Sequence, residues 1–172
     1  TFDAWGGLDE WSRGFVRGEP TDTLALLKDM ATGVAAGIGY QSREAEGTQT
    51  PLQTIDRGWG SCRDFAVLFV EAARSLGFGA RIISGYLYNP DRVSAPEGGS
   101  AMGAGTTPAW AEIFLPGAGR IPFDPTNRAV GGHNLIPLAV GRVIAQVMPM
   151  TGTFLGMTDA YLGLSVDVEV TP

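Results

Sequence analysis

The stretch GWGSCRDFAVLF, residues 58–69, sets the chain's single cysteine at the start of a helical pattern. Ser61 is a good N-cap, and Asp64 three residues later completes a variant of the capping box. Phe65, Leu68, Phe69, Ala72, Ala73 and Leu76 recur at helical spacing and form one apolar face, which Gly77 and Gly79 end. A thiol in the first turn sits near unpaired backbone N–H groups and the positive end of the helix dipole. Both favour the thiolate, the nucleophilic form. Arg63 adds positive charge, Gly60 permits close approach, and the Trp59 indole N–H is available to an oxyanion. Against this stands a structural reading, because free cysteine is among the most buried residue types. From this stretch alone both readings stand.

Upstream, Asp9 or Ser12 is placed to cap a short first helix that Pro20 ends. Thr21 or Asp22 opens a second, with Leu24, Leu27, Met30, Ala31 and Val34 at helical spacing and Gly37 and Gly39 after them. Residues 41–58 are polar and turn-rich and read as a connecting loop. Downstream of Gly79 the period changes to that of strands. ARIISGYLY (80–88) is β-branched and aromatic, and AWAEIFL (109–115) and GRIPFDP (119–125) flank a Pro-Gly turn. Residues 89–106 read as a long surface loop, and 138–148, 151–156 and 162–170 as further strands. Helices first and strands after them indicate an α+β domain. Trp5, Trp11 and Trp110 are expected to anchor the core.

Composition narrows the function classes. With 172 residues, 44% of them hydrophobic and 17% charged, the expectation is one compact domain, 1–172, with a real core. A net charge of −6 argues against nucleic acid or an acidic membrane surface as partner. No apolar run reaches the length of a membrane span, and no secretory signal is visible, so a cytoplasmic location is expected. The chain begins at Thr1 rather than Met, which suits the core of a longer protein with an N-terminal domain outside it. One cysteine and one histidine exclude an internal disulfide and a Cys- or His-rich metal site, and no cofactor is expected. Asp56, Asp91 and Glu97 show no calcium-loop spacing, and the glycine stretches lack a phosphate-binding lysine. Asp64, Glu71 and Glu112 read as a helix cap, a solvated face and a strand-edge charge. Asp124 reads, on its own, as a turn residue before Pro125.

GSCRDFA, ARIISGYL, AWAEIFLPGAG and FDPTN, in that order, resemble the transglutaminase-like superfamily, in particular its bacterial branch of cysteine-protease-like proteins. GTQTPLQT before the cysteine, and NLIPLAVGR and GTFLGMTDA after the aspartate, extend the resemblance from about residue 21 to the end. It implies a papain-like core, with N-terminal helices packed on an antiparallel, barrel-like sheet and Cys62 facing Asp124 across a cleft. It also implies a Cys–His–Asp triad in which Cys62 attacks an amide or ester carbonyl and Asp124 orients the histidine. At the histidine's place, in TTPAWAEIF, stands Pro108. Arg120 stands where a tryptophan is expected, and Val143 where an acidic residue is expected. His133, in the loop-like GGHNL, substitutes as base only if it lies within hydrogen-bond reach of the sulfur, and is otherwise a solvated histidine.

The implied activity is thiol acyl transfer or hydrolysis on a peptide, protein or small amide or ester substrate, impaired by loss of the base. The alternative is a catalytically lapsed domain that binds a peptide or protein in the old cleft. A purely structural module has the least support.

Overall fold

The computed structural model describes residues 3–43, 47–88 and 108–148, with 152–153, 155–157 and 160. The order is α1 (Asp3–Arg13), α2 (Thr23–Gly37), β1 (Gly39–Tyr40), α3 (Pro51–Arg57), β2 (Trp59–Gly60) and α4 (Cys62–Ser75). Strands β3 (Gly79–Leu87), β4 (Ala109–Leu115), β5 (Gly119–Asp124), β6 (Ala129–Val130) and β7 (Leu135–Gly141) follow, then a 3-10 turn, Ile144–Gln146. Helices precede the main sheet, as the α+β reading requires.

α4 is the centre of the molecule. Its expected apolar face is buried apart from the half-buried Leu76, but Ala66 and Val70 are fully buried as well. The helix is enclosed on more than one side because α1, α2 and α3 pack on it from one direction and β3 and β4 from the other. The sheet runs β6-β5-β4-β3-β7, antiparallel throughout. Ile82 lies opposite Ala111 and Ala111 opposite Phe123, so three buried residues from three strands share the face toward α4. There the Phe69 and Phe123 rings meet at 5.5 Å. Each such large side chain contributes about 1.5–3 kcal/mol by leaving water. Trp110 is buried as expected, while Trp11 is half-buried against Phe15, and the Trp5 side chain lies outside the described residues.

Several boundaries differ from the sequence expectation. α1 starts before Asp9, which bonds Arg13 along the helix, and Ser12 is buried and bonds Ser75 of α4 at 2.7 Å. Neither is a cap. In α2 the cap is Asp22, whose carboxylate accepts the Ala25 N–H, and Leu24 faces solvent rather than the core. Residues 41–58 are not all loop, since they contain α3. Thr50 and Gln53 cap it reciprocally, Pro51 occupies its first turn, and Gly58 ends it with φ 67°. The strand expected over 138–148 begins earlier and stops at Gly141. The Gln146 side-chain oxygen accepts the Arg142 and Val143 N–H groups and closes the 3-10 turn instead. Of 151–156, the residues described form no strand; 89–106 and 162–170 lie outside the described residues. Among the described residues, no helix is long and apolar enough to cross a membrane.

Candidate active site

α4 starts where it does because Ser61 is extended (φ −88°, ψ 175°) and Asp64 turns back on it. The Asp64 carboxylate accepts the Ser61 N–H at 2.8 Å and its hydroxyl at 2.9 Å. It also accepts the Gln49 N–H at 2.7 Å, the Gln49 side-chain amide at 3.4 Å and the Arg43 guanidinium at 2.9 Å. The expected cap is therefore also the junction that fixes residues 43–49 against the start of α4. Burial alone would raise the Asp64 pKa, but the Ser61 and Gln49 N–H groups, the Ser61 hydroxyl and Arg43 outweigh it and hold it below the usual carboxylate range.

Cys62 is the first residue of α4, a free thiol only 7% exposed. The helix start was expected to favour the thiolate, yet the thiol is pushed above its ordinary value. Burial is the main cause. The Ala109 N–H, the Arg63 guanidinium and the Arg63 N–H pull it down, and the Asp124 charge pushes it further up. Arg63 is held in part by donating to the Arg43 carbonyl at 3.1 Å.

β4 meets the nucleophile at its first residue, Ala109. Pro108 immediately precedes it and is half-buried, and its carbonyl accepts the Gly85 N–H of β3 at 3.2 Å. Asp124 ends β5 and is buried. Since Ala111 pairs with Phe123, Trp110 and Asp124 are the next step along the same two strands toward Cys62. The Asp124 carboxylate accepts the Thr126 and Asn127 N–H groups at 2.9 and 3.1 Å and the Asn127 side-chain amide at 2.7 Å. It is thus a turn residue that also acts electrostatically on the thiol.

Cys62, the start of β4 and Asp124 converge. His133 is exposed in the loop between β6 and β7. Trp59 is half-buried, its ring under Arg57 at 5.9 Å and its carbonyl accepting the Gln49 amide at 3.0 Å. Arg120 is exposed over the Phe114 ring, and Val143 is exposed beside the 3-10 turn. Glu71 pairs with Arg74 at 2.6 Å, and Glu112 pairs across the sheet with Arg81 at 2.6 Å rather than standing at an edge. An apolar cavity of about 420 Å³ lies apart from Cys62, among Leu8, Leu52, Val67, Ile82, Val143 and Ile144. Among the described residues no cluster of three or more His, Cys, Asp or Glu suits a metal.

One member of the site was not anticipated. Tyr40, on β1, is half-buried, and its phenol is pushed above the ordinary range by burial and then by the Cys62 charge. It lies 22 positions away, brought in by a two-residue parallel pairing that leaves no periodic trace in a sequence.

The family model described as the transglutaminase-like superfamily matches residues 9–125. An uncharacterized protein of Mycobacterium leprae (strain TN) is 33% identical over 125 residues, which is 70% of this chain and 40% of that protein. A candidate cysteine protease from Cytophaga hutchinsonii superposes with a TM-score of 0.63 at 24% identity, over 83% of this chain and 44% of that one. Legionella pneumophila LapG superposes with a TM-score of 0.55 at 14% identity, over 81% and 72%. Identities this low speak to the fold alone. The chain spans less than half the length of the Mycobacterium leprae and Cytophaga hutchinsonii proteins. On the motif order, the α+β architecture and the match over most of its length, this chain belongs to the transglutaminase-like superfamily.

Proposed function

We propose that this chain is a thiol acyl-transfer or hydrolase domain, acting on an amide or ester carbonyl through Cys62, with a weakened nucleophile. One observation carries the reading: Cys62 begins α4 with the Ala109 N–H and the Asp124 charge both acting on its sulfur. In the proposed reaction the sulfur attacks the carbonyl carbon and a thioester forms as the C–N or C–O bond breaks. The thiol proton passes by way of solvent to the leaving amine or alcohol. Water or an amine then attacks the thioester and restores the thiol. Pro108 offers no group to carry that proton, which supports an impaired rate rather than an efficient one. Peptides, proteins and small amides or esters are the substrate classes that this chemistry fits.

The buried thiol and its raised pKa favour a second reading, a lapsed domain that binds a peptide or protein ligand. An activated ester such as p-nitrophenyl acetate separates the two. Intact-mass detection of one acetyl group on the parent, absent from Cys62→Ser and faster in Pro108→His, supports the enzyme. No acylation of the parent, with acylation restored by Pro108→His, favours the lapsed domain. No acylation of either variant removes Cys62 as nucleophile.

A further inference from the structure

We infer that the cavity of about 420 Å³ apart from Cys62 is a second binding site, one that takes an uncharged aliphatic molecule. Two features of the sequence that the thiol chemistry leaves unused meet there. GTQTPLQT (47–54) supplies Thr48 through Leu52 to one wall, and Val143, standing where an acidic residue is expected, supplies an apolar lip. Leu8 of α1 and Ile82 of β3, both fully buried, form the floor, and Val143 is exposed at the mouth. Between them Leu52 of α3, Val67 of α4 and Ile144 of the 3-10 turn are half-buried. Cys62 is not in the lining, so binding there does not depend on the thiol being a nucleophile.

Interiors pack densely, so a space of this size stays open only where its walls are fixed from behind. On one side, Thr50 and Gln53 cap α3 reciprocally, and the Gln49 N–H donates to the buried Asp64 carboxylate at 2.7 Å. α1 already touches α3, since a Cβ on Gly7 would stand 3.2 Å from Leu52 Cδ2. On the other side, Arg74 of α4 donates to the Ala80 carbonyl at 2.8 Å and to the Arg142 carbonyl at 2.6 Å. The Gln146 side-chain oxygen accepts the Arg142 and Val143 N–H groups at 2.7 and 3.2 Å. The lip that carries Val143 is thereby tied to α4. A pre-formed, mostly apolar pocket is the usual form of a small-molecule site.

Most polar groups of the lining are already spent. The Gln49 side chain donates to the Trp59 carbonyl at 3.0 Å and to Asp64 at 3.4 Å, and accepts from Arg57 at 3.2 Å. Among the described lining residues Glu71 alone is ionisable, and Arg74 neutralises it at 2.6 Å. The other Arg74 N–H groups go to the Ala80 and Arg142 carbonyls, so the lining keeps no cation for a carboxylate or phosphate. A charged head would lose its hydration there with no partner to replace it. An aliphatic chain gains by leaving water. An acidic side chain at position 143 would set a charge at the mouth, whereas valine continues the apolar surface to the rim.

The test is a titration of the full chain, labelled with 13C at its Ile, Leu and Val methyl groups, with 1-octanol. Saturable shifts are expected at Leu8, Leu52, Val67, Ile82, Val143 and Ile144, with a Kd on the order of 1 mM or below. Octanoate at neutral pH has the same chain length and a charge, and is expected to bind about tenfold more weakly or worse. Val143→Glu is expected to weaken octanol binding by about tenfold, and Val143→Leu to keep it; the position is exposed, so neither change disturbs the core. Cys62→Ser is expected to bind octanol as the parent does, whatever its acylation shows about the proposed activity. Shifts that never saturate, or that grow equally at the exposed Leu138 and Val140, overturn the inference. So does octanoate binding as tightly as octanol, or unchanged binding in Val143→Glu. Loss of binding in Cys62→Ser would move the ligand to the thiol. Shifts that follow protein concentration without octanol would give the surface to a second copy of the chain, and either result refutes the site.

Discussion

The Ala109 N–H acts on the Cys62 sulfur, while Pro108, one residue earlier, has no ionisable side chain to bring to it. The strand that meets the nucleophile is in place. The Pro108 carbonyl accepts the Gly85 N–H, and Ala109 pairs with Ser84, so β4 is anchored to β3 on both sides of this junction. What is missing is a side chain rather than a strand, and a side chain is what mutation replaces.

Pro108→His is expected to lower the thiol pKa and speed alkylation by iodoacetamide at neutral pH by about tenfold or more. Proline contributes no N–H, so the β3–β4 ladder loses nothing in the exchange. The check is a rate against pH profile for parent and variant. Superimposed profiles would show that position 108 does not address the sulfur.

Asp124→Asn should act with opposite signs in two backgrounds. With Pro108 present, position 108 brings no charge to the thiol, and the Asp124 charge raises the thiol pKa. Removing that charge is expected to make the thiol ionise more readily. In the Pro108→His background, the same change removes the group that orients and stabilises the imidazolium, and alkylation at neutral pH should slow. The same sign in both backgrounds falsifies this account.

Asp64→Ala is expected to cost about 3–5 kcal/mol in denaturant unfolding, because it leaves Arg43 without its carboxylate and the Ser61 and Gln49 N–H groups without an acceptor. The pH dependence follows from the depressed pKa. Folded Asp64 binds its proton more weakly than the unfolded chain does. Its contribution is complete above the unfolded carboxylate pKa, about 3.9, and is lost as pH falls through the lower folded value. Urea midpoints for Asp64→Asn should accordingly fall less steeply with acid than those of the parent.

Gly85→Ala is expected to destabilise the sheet by about 1–3 kcal/mol or prevent folding. A Cβ at Gly85 would overlap the Ile136 carbonyl and crowd Trp110 at 2.6 Å, where the β3–β7 register shifts. Gly77→Ala has open space around it but φ 90°, and should cost less than Gly85→Ala. Equal losses at the two sites would contradict the steric reading.

α4 was readable because its determinants are local: Ser61 and Asp64 at one end, an apolar period of 3.6 and Gly77 at the other. β3, β4 and β5 were readable for a similar reason, since each carries strand-forming residues bounded by Gly or Pro. α3 was hidden in a polar stretch, although Thr50-Pro51-Leu52-Gln53 was already a capping box with proline in the first turn. The polarity of the surrounding residues 41–58 masks that local signal. The 3-10 turn after Gly141 rests on a side chain, Gln146, competing for backbone N–H groups that a strand would have used.

By itself, the sequence determined the α+β class, the capped helix beginning at Cys62, the strands β3, β4 and β5 that follow it and the absence of an ionisable side chain at position 108. Only the tertiary structure decided the state of the thiol. A helix start favours thiolate in water, but α4 is packed between helices and sheet, and desolvation there exceeds what the N–H groups and Arg63 return. The same packing chose the neighbours of Cys62. Tyr40, Ala109 and Asp124 are distant along the chain, and they meet because the β1–β2 pairing, the start of β4 and the end of β5 lie at one end of α4.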